Sequence, residues 1–376
     1  MEIFGHPARV RPYFGYRNAG RLRLTARALR MREPSWDHAT MVDKLAAMLD
    51  QFASREVSNL PVTLEVQRPG GAAQTFAAVS DAEGFVHFDV EVGAGTVSQH
   101  DPSWELARLH WEDRNGPLSA DAFILAPGDE QTLAVISDID DTIVETGAGD
   151  LLRNWRRTLA QMPGDREAVP GAADFFARLG GGGTGASMPA TRRPFFYVSS
   201  SPWNLFDYLT AFQKVHNLPQ GPIFLRDWDF TRATLASSGH KAHKARAIAE
   251  LIAFYPAMRF ALIGDDTQAD ALAYAEVVRQ NPARIAAVFI RQAPGADIGP
   301  DEQAALDAIR AAGVEMWTGS SYEIGADFLA RLGFTPRGET TQIVNTIAAA
   351  GPVTGAAVSS PEPAPGAPVD SSGTPA

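Results

Sequence analysis

Residues 133–150 read LAVISDIDDTIVETGAGD. The apolar run Leu133–Ser137 has the composition of a strand buried on both faces, and it stops at three carboxylates, Asp138, Asp140 and Asp141. Like charges set that close repel, and one of them has its pKa raised strongly unless something positive sits between them. A divalent cation is the usual remedy, and phosphate chemistry the usual reason for it.

The rhythm downstream says what kind of sheet this strand joins. Short apolar runs recur at Phe195–Ser199, Pro222–Arg226, Phe260–Gly264, Ile285–Ile290 and Val314–Thr318. Helical spacing fills the intervals at Ala172–Leu179, Leu205–His216, Ala245–Phe254, Ala269–Arg279, Asp301–Ala312 and Ser321–Leu332. Strand and helix alternating this often predict an α/β fold, a Rossmann-like parallel sheet covered on both faces. Ligands of such sheets sit at the carboxyl ends of the strands. Asp138, Ser199 and Asp265 fall at three such ends.

Upstream, residues 1–130 are β-rich. RLRLTARAL, LPVTLEVQ, GFVHFDVEV and WELARLHW alternate apolar and polar residues, with turn formers between them. The expectation is a small β-sandwich-like domain with one helical excursion at 41–53. The α/β domain then covers 131–336. GGGGTGASMPATRR (180–193) reads as a flexible loop, without the strand-to-helix setting of a phosphate loop. From 337 the chain turns to Ala, Pro, Gly and Ser, the composition of a disordered tail.

Composition narrows the chemistry. The chain has 376 residues, 45% hydrophobic and 20% charged, enough to bury a sizeable core. A net charge of −11 argues against nucleic acid as a partner. The absence of cysteine removes thiolate nucleophiles and cysteine-held metals together. A metal here is held by oxygen, which favours magnesium, calcium or manganese. No apolar run spans a bilayer and the N-terminus lacks the apolar core of a secretory signal, so the expected location is the cytoplasm, with a peripheral membrane visit left open.

Four features then fall in order at strand ends. In Asp138-Ile-Asp140-Asp141-Thr142, one aspartate can serve as nucleophile and another, two residues on, as general acid and then base. Tyr197-Val-Ser199-Ser200-Ser201-Pro202 offers hydroxyls and backbone N–H groups to phosphate oxygens. His243-Lys244 places a lysine where it can neutralise phosphoryl charge. Leu262-Ile-Gly264-Asp265-Asp266, with Asp270 four residues on, supplies carboxylates for a magnesium shell.

DIDDT, YVSSSP, HKARAI and LIGDDTQAD resemble the four motifs of the haloacid dehalogenase superfamily. ISDIDDTIVETG, FYVSSSPWNLFDYLTAF, LPQGPIFLRDWD and HKARAIAELIAFYP resemble more closely the catalytic domain of phosphatidate phosphatases of the actin-patch-protein type, relatives of the lipins, over roughly residues 131–320. The resemblance implies Asp138 as nucleophile forming an aspartyl-phosphate, Asp140 as acid and base, and Thr142 as a brace of the turn. Ser199 would hold a phosphate oxygen and Lys244 would offset charge. Magnesium would bind the Asp138 carboxylate, the Asp140 carbonyl and Asp265, with Asp266 and Asp270 as further metal or supporting residues. Ser200 can replace Ser199 if the strand ends one residue later, and Lys241 competes with Lys244.

Three features bear on substrate. Arg9, Arg11, Arg17, Arg21, Arg23, Arg27, Arg30 and Arg32 crowd an acidic chain's N-terminus and suit either anionic lipid headgroups or a solvated strand face. Leu151–Leu159 mixes Leu152, Trp155 and Leu159 with three arginines, as an interfacial or a core-packed helix would. Trp203 can line a substrate pocket or pack in the core. The expected activity is magnesium-dependent removal of phosphate from phosphatidate at a membrane surface. The rivals are the same chemistry on a soluble ester or phosphoprotein, and a non-catalytic module that binds anionic ligands.

Overall fold

The computed structural model describes residues 7–30, 55–67, 71–93, 102–128, 132–139, 142–143, 168–180, 193–226, 237–266, 269–292, 298–332 and 334. Asp140, Asp141, Trp155, residues 181–192, the helix expected at 41–53 and the tail expected from 337 lie outside them. Of Lys241 only the helical backbone is described.

Among the described residues, nine strands precede the first aspartate motif: β1 (Ala8–Pro12), β2 (Gly15–Arg17), β3 (Arg21–Arg30), β4 (Arg55–Glu56), β5 (Pro61–Val66), β6 (Gln74–Val79), β7 (Phe85–Glu91), β8 (Ser103–Asp113) and β9 (Gly116–Ala126). The period-two pattern of RLRLTARALR works as the pleat requires: Leu22, Leu24, Ala26 and Ala28 are buried, and the residues between them are less so. All nine described strands are hydrogen-bonded into one sheet, in the path β1-β3-β2-β9-β8-β5-β6 with β4 and β7 also on β3. The long β3 makes this possible, because it pairs β1 and β2 in succession along one edge and β7 and β4 along the other. The sheet encloses a single core that includes Leu24, Leu64, Phe88, Leu109 and Ile124.

The second sheet has six parallel strands: β10 (Leu133–Ser137), β11 (Phe195–Pro202), β12 (Ile223–Arg226), β13 (Arg259–Asp265), β14 (Ile285–Arg291) and β15 (Glu315–Gly319). Helices α1 (Ala172–Gly180), α2 (Phe206–Val215), α3 (Ser237–Phe254), α4 (Asp270–Gln280), α5 (Pro300–Ala311) and α6 (Ala326–Arg331) lie among them. Spatial order is β12-β11-β10-β13-β14-β15, so the winding reverses between β10 and β13. Alternate residues of the strands serve opposite faces. Ile136, Phe196, Leu262 and Val288 pack with α3, α4 and α5, whereas Val135, Tyr197, Ile263 and Phe289 pack with α1, α2 and α6. Burial on both faces is why β14 is apolar for six residues running.

Some boundaries differ from the expectation. β11 continues past Ser199 to Pro202, which pairs with Arg226 across a break in register. α3 begins at Ser237, well before Ala245. α6 is shorter than Ser321–Leu332, because Tyr322 and Ile324 turn into the core ahead of it.

The two sheets meet at the stretch RPYFGYRN (11–18). Tyr16 packs edge-on against Phe196 and Phe254. The Tyr255 hydroxyl donates to the Arg17 carbonyl at 3.1 Å, and the Asn18 amide to the Phe254 carbonyl at 2.8 Å. Arg11 pairs with Asp207, and Arg27 donates to Asn204 at 2.8 Å. Arg17 is buried against Glu105, and Arg21 and Arg23 share Asp89. The N-terminal arginines that suggested an anion-attracting patch are thus largely engaged within the fold. No described helix is long and apolar enough to cross a membrane.

Candidate active site

The winding reverses at the carboxyl ends of β10 and β13, the place where such sheets bind ligands. Asp138 follows β10 directly and Asp265 is the last residue of β13. The Asp138 N–H donates to the Ile263 carbonyl at 2.8 Å, which ties the two strand ends together. The Ser137 hydroxyl donates to the Asp138 carbonyl at 2.6 Å.

Asp138, Asp265 and Asp270 are all fully buried, and one carboxylate oxygen from each lies within 4.8 Å of the others. Lys244, in the first half of α3, is 1% exposed. Its ammonium sits 2.7 Å from Asp138 Oδ1 and also contacts Asp270 Oδ1. Burial pulls the lysine's pKa down, but Asp138, Asp270 and Asp265 outweigh it and raise the value above normal. The lysine therefore stays charged. Burial raises the Asp270 carboxyl's pKa, against the opposing pull of Lys244 and the Asp265 N–H.

Asp270 is placed by backbone devices. Ala269, just before α4, is left-handed at φ +62°, a conformation that costs an L-residue about 1–2 kcal/mol. This turn starts the helix with Asp270 aimed back at β13, where Oδ2 accepts the Asp265 N–H at 3.2 Å. Gly264 leaves room for it. A Cβ there would collide with the Asp270 carboxylate and lie 2.8 Å from the Tyr274 hydroxyl.

Thr142 braces the metal-binding candidate: its hydroxyl donates to Asp265 Oδ2 at 3.1 Å. Two tyrosines complete the frame. Tyr322 donates to the Thr142 carbonyl at 3.0 Å, and Tyr274 to the Ile263 carbonyl at 2.7 Å. Burial first, then the nearby carboxylates, push both phenols' pKa values well up, so they remain neutral donors. Sequence reading missed both. Tyr274 lies one helical turn beyond Asp270, a usable signal; Tyr322 lies 180 positions from Thr142 and carries none.

The serines separate. Ser199 Oγ accepts the Ser201 N–H at 2.9 Å, so it supports the local backbone at the end of β11. Ser200 Oγ is buried and makes no hydrogen bond to protein. Asp266 sits beside the cluster, its N–H on the Arg291 carbonyl at 3.1 Å, and is not one of the three grouped carboxylates. Trp203 is half-buried at the seam between the sheets, with its ring centroid 4.3 Å from that of Tyr13.

Residues 133–292 match the family model described as phosphatidate phosphatase APP1, catalytic domain. The resemblance to the catalytic domain of the actin-patch-protein phosphatidate phosphatases stands over this segment. The phosphatidate phosphatase APP1 of Saccharomyces cerevisiae is 27% identical over 256 residues, which cover 66% of this chain and 40% of the yeast protein. An uncharacterized protein of Schizosaccharomyces pombe is 26% identical over 217 residues, covering 57% of this chain and 34% of that one. The chain thus spans less than half the length of the curated relatives it matches. A solved Bifidobacterium dentium β-glucuronidase aligns at a TM-score of 0.25 and 7% identity, over 80% of this chain and 57% of that one, a likeness too slight to carry any argument.

Proposed function

We propose that this chain is a magnesium-dependent phosphomonoester hydrolase of the haloacid dehalogenase type that converts phosphatidate to diacylglycerol. The observation that carries the reading is the buried Lys244 ammonium bridging Asp138 and Asp270 at the sheet's switch point, inside the segment that matches the phosphatase family.

Asp138 attacks phosphorus, forming an acyl-phosphate bond as the phosphorus–alkoxide bond breaks. Asp140, from the resemblance, gives its proton to the leaving alkoxide. It then takes a proton from the water that cleaves the acyl-phosphate and returns Asp138 to its carboxylate. Lys244 offsets charge on the phosphoryl oxygens. Ser200 is the better phosphate ligand of the two serines, because its buried hydroxyl lacks a protein partner. Thr142 holds Asp265 in place.

The residues fit magnesium. Three buried carboxylates crowd around one ammonium, an oxygen donor set with more acidic groups than the lysine alone matches, which suits a further cation. A hard divalent ion on oxygen ligands suits it. Asp138 and Asp265 would hold the ion, with the Asp140 carbonyl and Asp266 as further candidates, and the ion would help neutralise the phosphoryl group. Asp270 instead steadies Lys244.

The direct test is phosphate release from phosphatidate in mixed micelles, with magnesium and with EDTA. Magnesium-dependent release is expected. Release only from a soluble ester would keep the chemistry and discard the lipid, and release from neither would leave a binding module. Ser200→Ala is expected to lose about 10- to 100-fold in kcat/KM, the worth of one hydrogen bond to a charged group. Ser199→Ala is expected to lose mainly thermal stability. The opposite pattern in steady-state kinetics would reverse the two serines.

A further inference from the structure

A cavity of about 700 Å³ lies on the seam between the two sheets, within the size range of small-molecule sites. One wall is N-terminal: Arg23–Thr25 of β3 and His87–Asp89 of β7. The facing wall is the edge strand β12 with the residue before it, from Pro222 to Leu225, and α3 from His243 to Glu250. Three strand steps and seven helical residues each measure about 10 Å, so the trough runs about that far along the sheet edge.

Its linings are graded. Tyr13, Phe14, Tyr16 and Trp203 contribute aromatic surface, and Tyr13 and Tyr16 are buried. The charged members are more open and already paired: Arg23 with Asp89, at 28% and 38% exposed, and Arg246 with Glu250, at 82% and 44%. Rings inside and neutralised charge at the rim suit an amphipathic ligand better than an anion. In sequence, two lining residues adjoin the candidate phosphate site. Trp203 follows the Ser199–Ser201 run by two residues, and His243 immediately precedes Lys244.

We propose that this cavity takes the glycerol backbone and first stretch of acyl chain of the phosphate monoester, so that the N-terminal sheet supplies one wall of the substrate site. This rests on the phosphatase reading above and assigns the N-terminal sheet a role in specificity. Thr25, with its hydroxyl 3.2 Å from His87 Nδ1, is the natural position to fill.

The experiment compares wild type, Thr25→Trp and His87→Trp on long-chain phosphatidate in mixed micelles and on p-nitrophenyl phosphate. The ratio of kcat/KM for lipid over soluble ester is expected to fall at least tenfold in either filled variant. An unchanged ratio, with wild type active on the lipid, overturns the cavity and spares the phosphatase reading. Wild type inactive on the lipid overturns the substrate reading, and a second measurement then decides the cavity. Dibrominated-acyl phosphatidate should quench wild-type tryptophan fluorescence, with that component lost in Trp203→Phe. Equal quenching in the two proteins, or none in wild type, overturns the proposal.

Discussion

Asp138→Asn is expected to abolish phosphate release, by on the order of 10⁴-fold or more, the scale at which loss of an enzymatic nucleophile is felt. The substitution keeps shape and changes chemistry. An amide oxygen can still accept from Lys244, whose ammonium lies 2.7 Å from Asp138 Oδ1 in the wild type. It also removes one negative charge from a buried cluster of three, which relieves repulsion. The fold should therefore survive, and a thermal melt with EDTA should move little. The informative contrast is with a carboxylate that merely helps hold the metal. In that case a magnesium titration would restore activity as the weakened site filled. Covalent catalysis predicts no recovery at any magnesium concentration. It also predicts protein-bound phosphate in acid-quenched wild type and none in the variant. Activity retained in Asp138→Asn would move the nucleophile elsewhere.

How much of this was legible in the sequence follows from the range of the forces involved. Leu133–Ser137 could be read to the residue, because a strand buried on both faces advertises itself through composition. The carboxylates at its mouth could be read because mutual repulsion makes an unexplained cluster improbable. Asp270 was harder. An acidic residue at a helix start is ordinary, and only its contact with Lys244, 26 positions away, sets it apart. The choice between Ser199 and Ser200 hung in sequence on where the strand ends, yet β11 runs on to Pro202 through pairing with Arg226, and the preference for Ser200 comes instead from its unpartnered buried hydroxyl. The N-terminal arginines allowed two readings for the same reason. A run of positive charge looks available to lipid until Asp207, Glu105 and Asp89 arrive from distant positions to pair with it. The cavity is the extreme case. Its walls come from β3, β7, β12 and α3, so no local stretch encodes it. Local physics is written in the sequence, whereas a seam between two sheets exists only once both have folded.

Lys244→Met tests the charge balance of the site by stability alone, so it does not depend on catalysis. Methionine approximates the lysine's length and removes its charge. Asp138, Asp265 and Asp270 would then share a buried space without the ammonium that contacts Asp138 and Asp270. Removing one partner of a buried ion pair costs about 3–5 kcal/mol, because the remaining charge is left uncompensated. Two carboxylates lose the partner here, which puts the expectation at the upper end of that range. Chemical denaturation in EDTA should show it as a lower midpoint with an unchanged slope, the sign of lost stability without a changed unfolded state. Magnesium should narrow the gap, since any ion that binds only the folded protein stabilises it by mass action. A loss under about 1 kcal/mol in EDTA would mean that the carboxylates discard their charge by taking up protons, and that Lys244 is not what holds them ionised. A full loss that magnesium leaves unchanged would mean that the cluster does not bind the ion. Partial rescue by magnesium would tie the lysine and the metal to one set of carboxylates.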